Sequence, residues 1–355
     1  MAAMNWWQRW FGPKAQTSPT RTNAGVDWST VFAESPQRPA LSRQQANFDE
    51  PPQHEPSALT YAETLAPAQK RATVYDPALQ HFPRGLTLEP PTFADSEEQA
   101  AWQRQQQDAM NLVLRAIALS AAADHLVLRG SALMLAWYGD AARPPKDLDF
   151  VVVPKTMARV SDEAEALIET IITAVIETAQ STGWFAADQI TRDTIWTYCR
   201  VDGLRLTFFW KRDPLPWGSV QVDLTFGEHL PRAPVPTRIT MPNDPNPYTM
   251  LTADRPMALA WKLYWLGSDM HQRAKDVYDA MLLAEDGACD IDTIRAVSAA
   301  NDFEPTLIIL ELFERFDPNH LEWVGFQIAD PLAAQQWAQR LRNALPEFVP
   351  SLTSD

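Results

Sequence analysis

Two aspartates one residue apart, Asp147 and Asp149, sit in the stretch KDLDFVVVP, and their spacing points to metal chemistry. In an extended strand, residues two apart share a face. The two carboxylates therefore project together, while Leu148, Phe150 and Val152 point the opposite way into a core. Carboxylates a few ångströms apart repel each other unless a cation sits between them. A hard divalent ion, Mg²⁺ or Mn²⁺, suits such oxygen ligands. The same alternation in SVQVDLTF places Val220, Val222, Leu224 and Phe226 on one face and Asp223 on the other. Three aspartates on neighbouring strands would form a carboxylate floor for two metals, suited to in-line displacement at phosphorus. On its own, D-x-D equally marks a strand edge or a turn. The metal reading gains from Gly130-Ser131 upstream, at the junction of a short strand and a helix. Backbone amides at a helix N-terminus bind phosphate, and glycine lets the phosphate approach closely.

The elements that must position these residues are legible from periodicity and punctuation. Asp95 or Ser96 opens a helix with acids in its first turn. HLVLRG is a short buried strand ending on Gly130, and SALMLAWYG a helix entered directly from it. KDLDFVVVP is a strand stopped by Pro154, and a long helix follows over roughly 161–181, capped by Ser161. TIWTYCRV and LRLTFFWK read as two strands joined at Asp202-Gly203, a hairpin signal. SVQVDLTFGE is a further strand. Beyond a proline-rich connector over 231–247, the pattern is helical, at about 249–267, 270–285, 290–300, 304–315 and 330–344. The expected fold class is α+β, a mixed β-sheet with flanking helices followed by an all-α C-terminal domain. Of the 29 prolines, 12 fall in residues 1–95, which leaves no room for a long helix or a central strand. The expected organisation is a loop-rich leader over 1–95 with at most a short helix near Ala58–Leu65, a catalytic core over 96–230, and a helical domain over 231–355.

Bulk properties exclude several classes. The net charge of −15 argues against a broadly basic nucleic-acid binder, though not against a local basic groove. Arg129, Arg143, Lys146, Lys211 and Arg212 could form such a strip. No apolar run reaches the roughly 20 residues that span a bilayer. The aromatic start, Met1 to Phe11, lacks the apolar core of a signal peptide. Two cysteines, Cys199 and Cys289, fit a reducing cytoplasm and form no zinc site. The six histidines show no metal-ligand spacing; His271, near Lys262 and Arg273, reads as a helix-surface residue. Phe208, Phe209 and Trp210 read as core packing rather than a base-stacking platform.

The stretch LVLRGSALMLAWYGDAARPPKDLDFVVV resembles the opening motif of the AbiEii-type nucleotidyltransferases, toxins within the DNA polymerase β-like superfamily. Downstream, RPMALAWKLYWLGSDMHQRAKDVYDAMLLAE is similar to the same family's helix with a lysine, followed by an R-x-(K/R)-D-x-x-D helix. The resemblance implies a nucleotidyltransferase-like sheet in which Asp147 and Asp149, with Asp223 as third carboxylate, bind Mg²⁺ or Mn²⁺. It implies that Gly130 and Ser131 contact the triphosphate, that Lys262 faces the phosphates, and that Arg273 assists. Lys262 and Asp276 join the three aspartates as catalytic residues, and Asp279 completes the second helix motif. Where the family usually carries an acid before the lysine, this chain has Trp261.

The implied activity is transfer of a nucleotide from an NTP to a tRNA 3′ end or a protein hydroxyl, by a cytoplasmic toxin of a toxin–antitoxin or phage-defence system with a cognate antitoxin. The alternative is a non-catalytic nucleotide-binding or partner-binding module on the same fold. A metal-dependent phosphohydrolase would normally bring histidines to the carboxylates.

Overall fold

The computed structural model describes residues 73–75, 86–88, 91–180, 183–185, 190–197, 201–244, 246–269, 272–323, 326 and 329–345. The chain divides into two units, Met1–Pro52 and Gln53–Asp355, and the described residues all belong to the second. The aromatic start, the helix expected near Ala58–Leu65, Cys199 and His271 lie outside the described residues.

Two short strands, β1 (Thr73–Tyr75) and β2 (Leu86–Leu88), pair antiparallel. Helix α1 (Ser96–Ala118) follows, with the Asp95 carboxylate accepting from the Glu97 amide at 2.7 Å and Glu97 and Glu98 in its first turn. Acids there complement the positive helix end. Next come strand β3 (Leu126–Arg129), helix α2 (Gly130–Tyr138), strand β4 (Asp147–Val152) and helix α3 (Asp162–Gln180). Strands β5 (Ile190–Thr197), β6 (Val201–Trp210), β7 (Gly218–Thr225), β8 (Val235–Ile239) and β9 (Tyr248–Thr252) complete one seven-stranded sheet in the order β5-β6-β7-β4-β3-β9-β8. It is mixed: β4 runs parallel to β7 and β3 parallel to β9, and the other neighbours are antiparallel. Helices α1 and α3 pack on each other, and α1 lies on β7.

The remaining helices are α4 (Arg255–Ser268), α5 (Ala274–Glu285), α6 (Ile291–Ala300), the short α7 (Thr306–Ile309) and α8 (Pro331–Asn343). Helix α5 packs between α4 and α8. One continuous apolar core joins the sheet, its helices and this helical region. The observed architecture is the expected α+β fold.

Two local expectations differ from the structure. The β5–β6 hairpin exists, but Asp202 and Gly203 lie inside β6, opposite Trp196 and Ile195, and Thr197 pairs with Val201. The expected turn at Asp202-Gly203 is therefore not where the strands reverse. Asp202 serves instead as an ion-pair partner of Arg159 at 2.7 Å. The stretch read as a proline-rich connector contains β8, and β9 occupies the start of the helix expected at 249–267. Pro236 is tolerated because β8 is an edge strand, where one face of the ladder needs no amide. Helix α4 begins at Arg255, capped by the Asp254 carboxylate on the Met257 amide at 3.0 Å.

Phe208, Phe209 and Trp210 are buried, and the Trp210 indole donates to Gln106 Oε1 at 2.9 Å. They are core residues, as their apolar setting suggested.

Candidate active site

Strand β4 alternates in burial, with Leu148 and Phe150 fully buried and Asp147 and Asp149 half-buried on the other face. Parallel pairing sets Asp149 directly opposite Asp223 of β7. One carboxylate oxygen from each of Asp147, Asp149 and Asp223 lies within 4.8 Å of the others. Burial, then the charges of Asp147 and Asp223, push the Asp149 carboxyl up to about 7. Three oxygen donors crowded to mutual repulsion fit a hard divalent cation.

Gly130, the first residue of α2 directly after β3, has φ +75°, and a Cβ there would collide with Asp149 Oδ2. Glycine is required at this position twice over, for backbone hand and for space. Ser131 is buried, its Oγ 3.5 Å from Asp147 Oδ1. The Gly130-Ser131 turn and the carboxylate floor therefore abut.

Asp149 and Asp223 belong to a longer row. Across β5, β6, β7, β4 and β3, the residues directly opposite one another are Asp193, Arg205, Asp223, Asp149 and Arg129. Directly paired residues share a face of the sheet. Arg205 is buried and grips Asp223 with both prongs, Nε to Oδ1 at 2.7 Å and Nη2 to Oδ2 at 2.8 Å. Arg129 is buried too, its Nη1 2.7 Å from both oxygens of Glu228 and its Nη2 donating to Thr225 Oγ1 at 3.0 Å. Its guanidinium lies 4.9 Å from the centre of the Trp261 ring. Trp261, in the place of the family's acid, thus supplies a cation–π surface, and Glu228 supplies a carboxylate. Sequence reasoning passed over Asp193 and Arg205. Arg205 carried the signal that found Asp223, a charged residue in a largely apolar strand, whereas Asp193 sits among Thr191, Arg192 and Thr194 and carried none.

The lysine and acids of the helical region form a closed group. Lys262 Nζ is 2.8 Å from Asp276 and 2.8 Å from Asp279, and Arg143 binds Asp279 through Nε at 3.1 Å and Nη2 at 3.0 Å. All four are buried. Burial works to raise the two carboxyls, but Lys262, joined by Lys275 at Asp276 and by Arg143 at Asp279, overrides it and holds both below the usual range. Burial likewise works against the charged Lys262, and the two carboxylates overcome it, leaving the ammonium raised. Arg273 caps α5, with its Nε 3.6 Å from Glu322 and 3.9 Å from Asp269.

The basic strip considered from sequence does not assemble as an open surface. Arg129 and Arg143 are buried in the ion pairs above, Lys211 pairs with Asp213, and Arg212 lies over the Trp184 ring at 4.4 Å. Lys146, exposed beside Asp147, is the member left without an ion pair or hydrogen bond among the described residues. Lys275, half-buried in the first turn of α5, is in the same condition.

A mixed sheet carrying D-x-D on one strand and a third aspartate opposite it, entered through a glycine turn into a helix N-terminus, defines a nucleotidyltransferase. Over residues 112–352 the chain matches the family described as nucleotidyl transferase AbiEii toxin, type IV toxin–antitoxin system, and it belongs to that family. Among solved structures it is similar to MenT4, a nucleotidyltransferase toxin from Mycobacterium tuberculosis H37Rv, at 16% identity and TM-score 0.45, over 74% of this chain and 87% of that one. It is also similar to the polymerase core of TRAMP, an RNA surveillance complex, at 11% identity and TM-score 0.22, over 72% of this chain and 60% of that one. A search of the curated proteins finds no match. Among the described residues, no helix is long and apolar enough to cross a membrane.

Proposed function

We propose that the protein transfers a nucleoside monophosphate from an NTP to a hydroxyl, on a tRNA 3′ end or on a protein, and that this arrests growth in the cytoplasm until a cognate antitoxin intervenes. The observation that carries the reading is the three-carboxylate floor abutting the Gly130-Ser131 turn. Asp147, Asp149 and Asp223 would hold Mg²⁺ or Mn²⁺, which supplies charge neutralisation at the phosphates and acidifies an acceptor hydroxyl. The amides that open α2 would meet an anionic phosphate with the positive end of the helix behind them. Gly130, having no Cβ, keeps the approach to Asp149 clear. Arg205 fixes the orientation of Asp223, so that carboxylate needs no rearrangement when substrate arrives. The acceptor oxygen forms a bond to the α-phosphorus as the bond to the bridging oxygen breaks. Pyrophosphate leaves with that electron pair, and the hydroxyl proton passes to solvent.

The test incubates the protein with Mg²⁺, each labelled NTP, and either total tRNA or a protein lysate, beside an Asp149→Asn variant. Label appearing on one acceptor pool, and lost with the variant, supports the proposal. NTP binding without transfer to either pool would sink it in favour of a binding module.

A further inference from the structure

We propose that Asp193 and Glu228 keep the negative charge of the carboxylate floor at full strength. Each offsets an arginine that braces the floor, so that the bracing does not weaken the hold on a cation. This rests on reading the floor as the metal site of the proposed transferase, and it adds two residues that serve the site from outside.

The charges on this face of the sheet are confined almost wholly to one row. In register order it runs Asp193, Arg205, Asp223, Asp149 and Arg129, across β5, β6, β7, β4 and β3. The neighbouring rows are neutral apart from Asp147. One holds Thr191, Thr207, Gln221 and Asp147, and the other Ile195, Gly203, Thr225, Val151 and Val127. Glu228, just beyond β7, lengthens the charged row, with both carboxylate oxygens 2.7 Å from Arg129 Nη1. The signs then read the same from either end: acid, arginine, acid, acid, arginine, acid.

Each arginine brings a benefit and a drawback. Arg205 grips Asp223 with two prongs, and Arg129 stands directly opposite Asp149. A guanidinium beside a carboxylate steadies it, but also cancels part of the field that draws a metal. Three floor carboxylates against two guanidinium groups leave one formal negative charge, which suits a divalent ion poorly. Asp193 and Glu228 bring the balance back to three.

Both outer acids are placed for this task. Asp193 is 5% exposed, although β5 is an edge strand of the sheet. Burying a carboxylate is costly unless a cation stands by, and Arg205 is the cation in register with it. Its sequence neighbour Arg192 points to the other face and pairs with Glu165 and Glu169 of α3. Thr191 Oγ1, 3.4 Å from Asp193 Oδ2, supplies a hydroxyl but no charge. A structural pair needs one acid for each arginine. Here each arginine lies between two.

The experiment titrates the full chain with Mn²⁺ alone, without nucleotide, and follows free Mn²⁺ by electron paramagnetic resonance. Asp193→Asn and Glu228→Gln keep the shape of the side chain, remove one charge, and are each expected to weaken Mn²⁺ binding about tenfold. Asp193→Glu and Glu228→Asp keep the charge and should bind within about threefold of the parent. Asp292→Asn, which removes a charge from a side chain 96% exposed, should bind like the parent. A purely structural role would lower the metal-free melting temperature of the neutral variants and leave the Mn²⁺ affinity of the folded protein unchanged; that result overturns the proposal. Equal weakening in the charge-retaining variants also overturns it, since shape rather than charge would be at stake. If Asp193→Asn fails to fold, Glu228→Gln, at the more exposed end of the row, carries the test. Mn²⁺ bound alike by the parent and both neutral variants removes the outer acids and leaves the metal site. No Mn²⁺ bound by the parent removes both.

Discussion

At Asp149, function and stability pull in opposite directions. Burial and the neighbouring charges of Asp147 and Asp223 raise its carboxyl to about 7 in the metal-free protein. Folding therefore favours the protonated form. Stability from this group is fully present below the ordinary aspartate range and is lost as pH rises through about 7. A thermal-shift series from pH 5 to 8 should show metal-free stability declining toward neutrality, with added Mg²⁺ or Mn²⁺ restoring it most at the upper end. A flat profile, with or without metal, would contradict the carboxylate crowding. Asp149→Asn should remove the decline and raise the metal-free melting temperature at pH 8, while cutting nucleotidyl transfer by about a thousandfold or more. A variant that loses activity and stability together would show that Asp149 is chiefly structural.

At the scale of elements, two buried groups of ion pairs tie the site to its surroundings. Lys262 on α4 joins Asp276 and Asp279 on α5, and Arg143 extends that tie to the loop entering β4. Removing one partner of a buried group leaves an uncompensated charge and typically costs about 3–5 kcal/mol. Lys262→Met should show a loss of that order in urea denaturation, which a lysine used only to greet phosphate would not. Arg205→Met leaves Asp223 without its two-pronged partner, and a comparable loss is expected, together with weaker Mn²⁺ binding measured by electron paramagnetic resonance. Unchanged Mn²⁺ affinity would mean that the orientation of Asp223 does not depend on Arg205. Much of this level was legible beforehand. The strand Leu126–Arg129 announced itself as a short apolar run ending on Gly130, and Asp147–Val152 by its alternation and by Pro154 beyond it. The partners of the charged residues were not legible. Lys262, Asp276 and Asp279 share a motif, but sequence spacing alone does not reveal that their charges face one another rather than a ligand. Arg205 and Asp223 meet only because β6 and β7 pair in one register. Strand β8 was hidden by a proline whose cost vanishes at a sheet edge, and β9 by its place at the head of a helical pattern.

For the molecule as a whole, the net charge of −15 and the internal pairing of the arginines near the site leave little open basic surface among the described residues. The acceptor of the proposed transfer would then be held by shape and by the reacting end rather than by a long cationic track. If the proposed toxicity resides in the carboxylate floor, induced expression should arrest growth in a bacterial host, and Asp149→Asn at equal protein level should not. Arrest by both would place the toxicity elsewhere in the chain.

The order in which the chain lays down its site has a consequence during synthesis. Asp147 and Asp149 emerge early, on β4. Their opposite number Asp223 follows only after α3 and the β5–β6 hairpin, and β8 and β9 come later still. The sheet cannot be completed until those distant strands have returned to β4 and β3, and such non-local pairing is slow. A ribosome-bound fragment that ends before β7 therefore holds two of the carboxylates without the third. The carboxylate floor comes into being only once β7 has been made and has paired with β4.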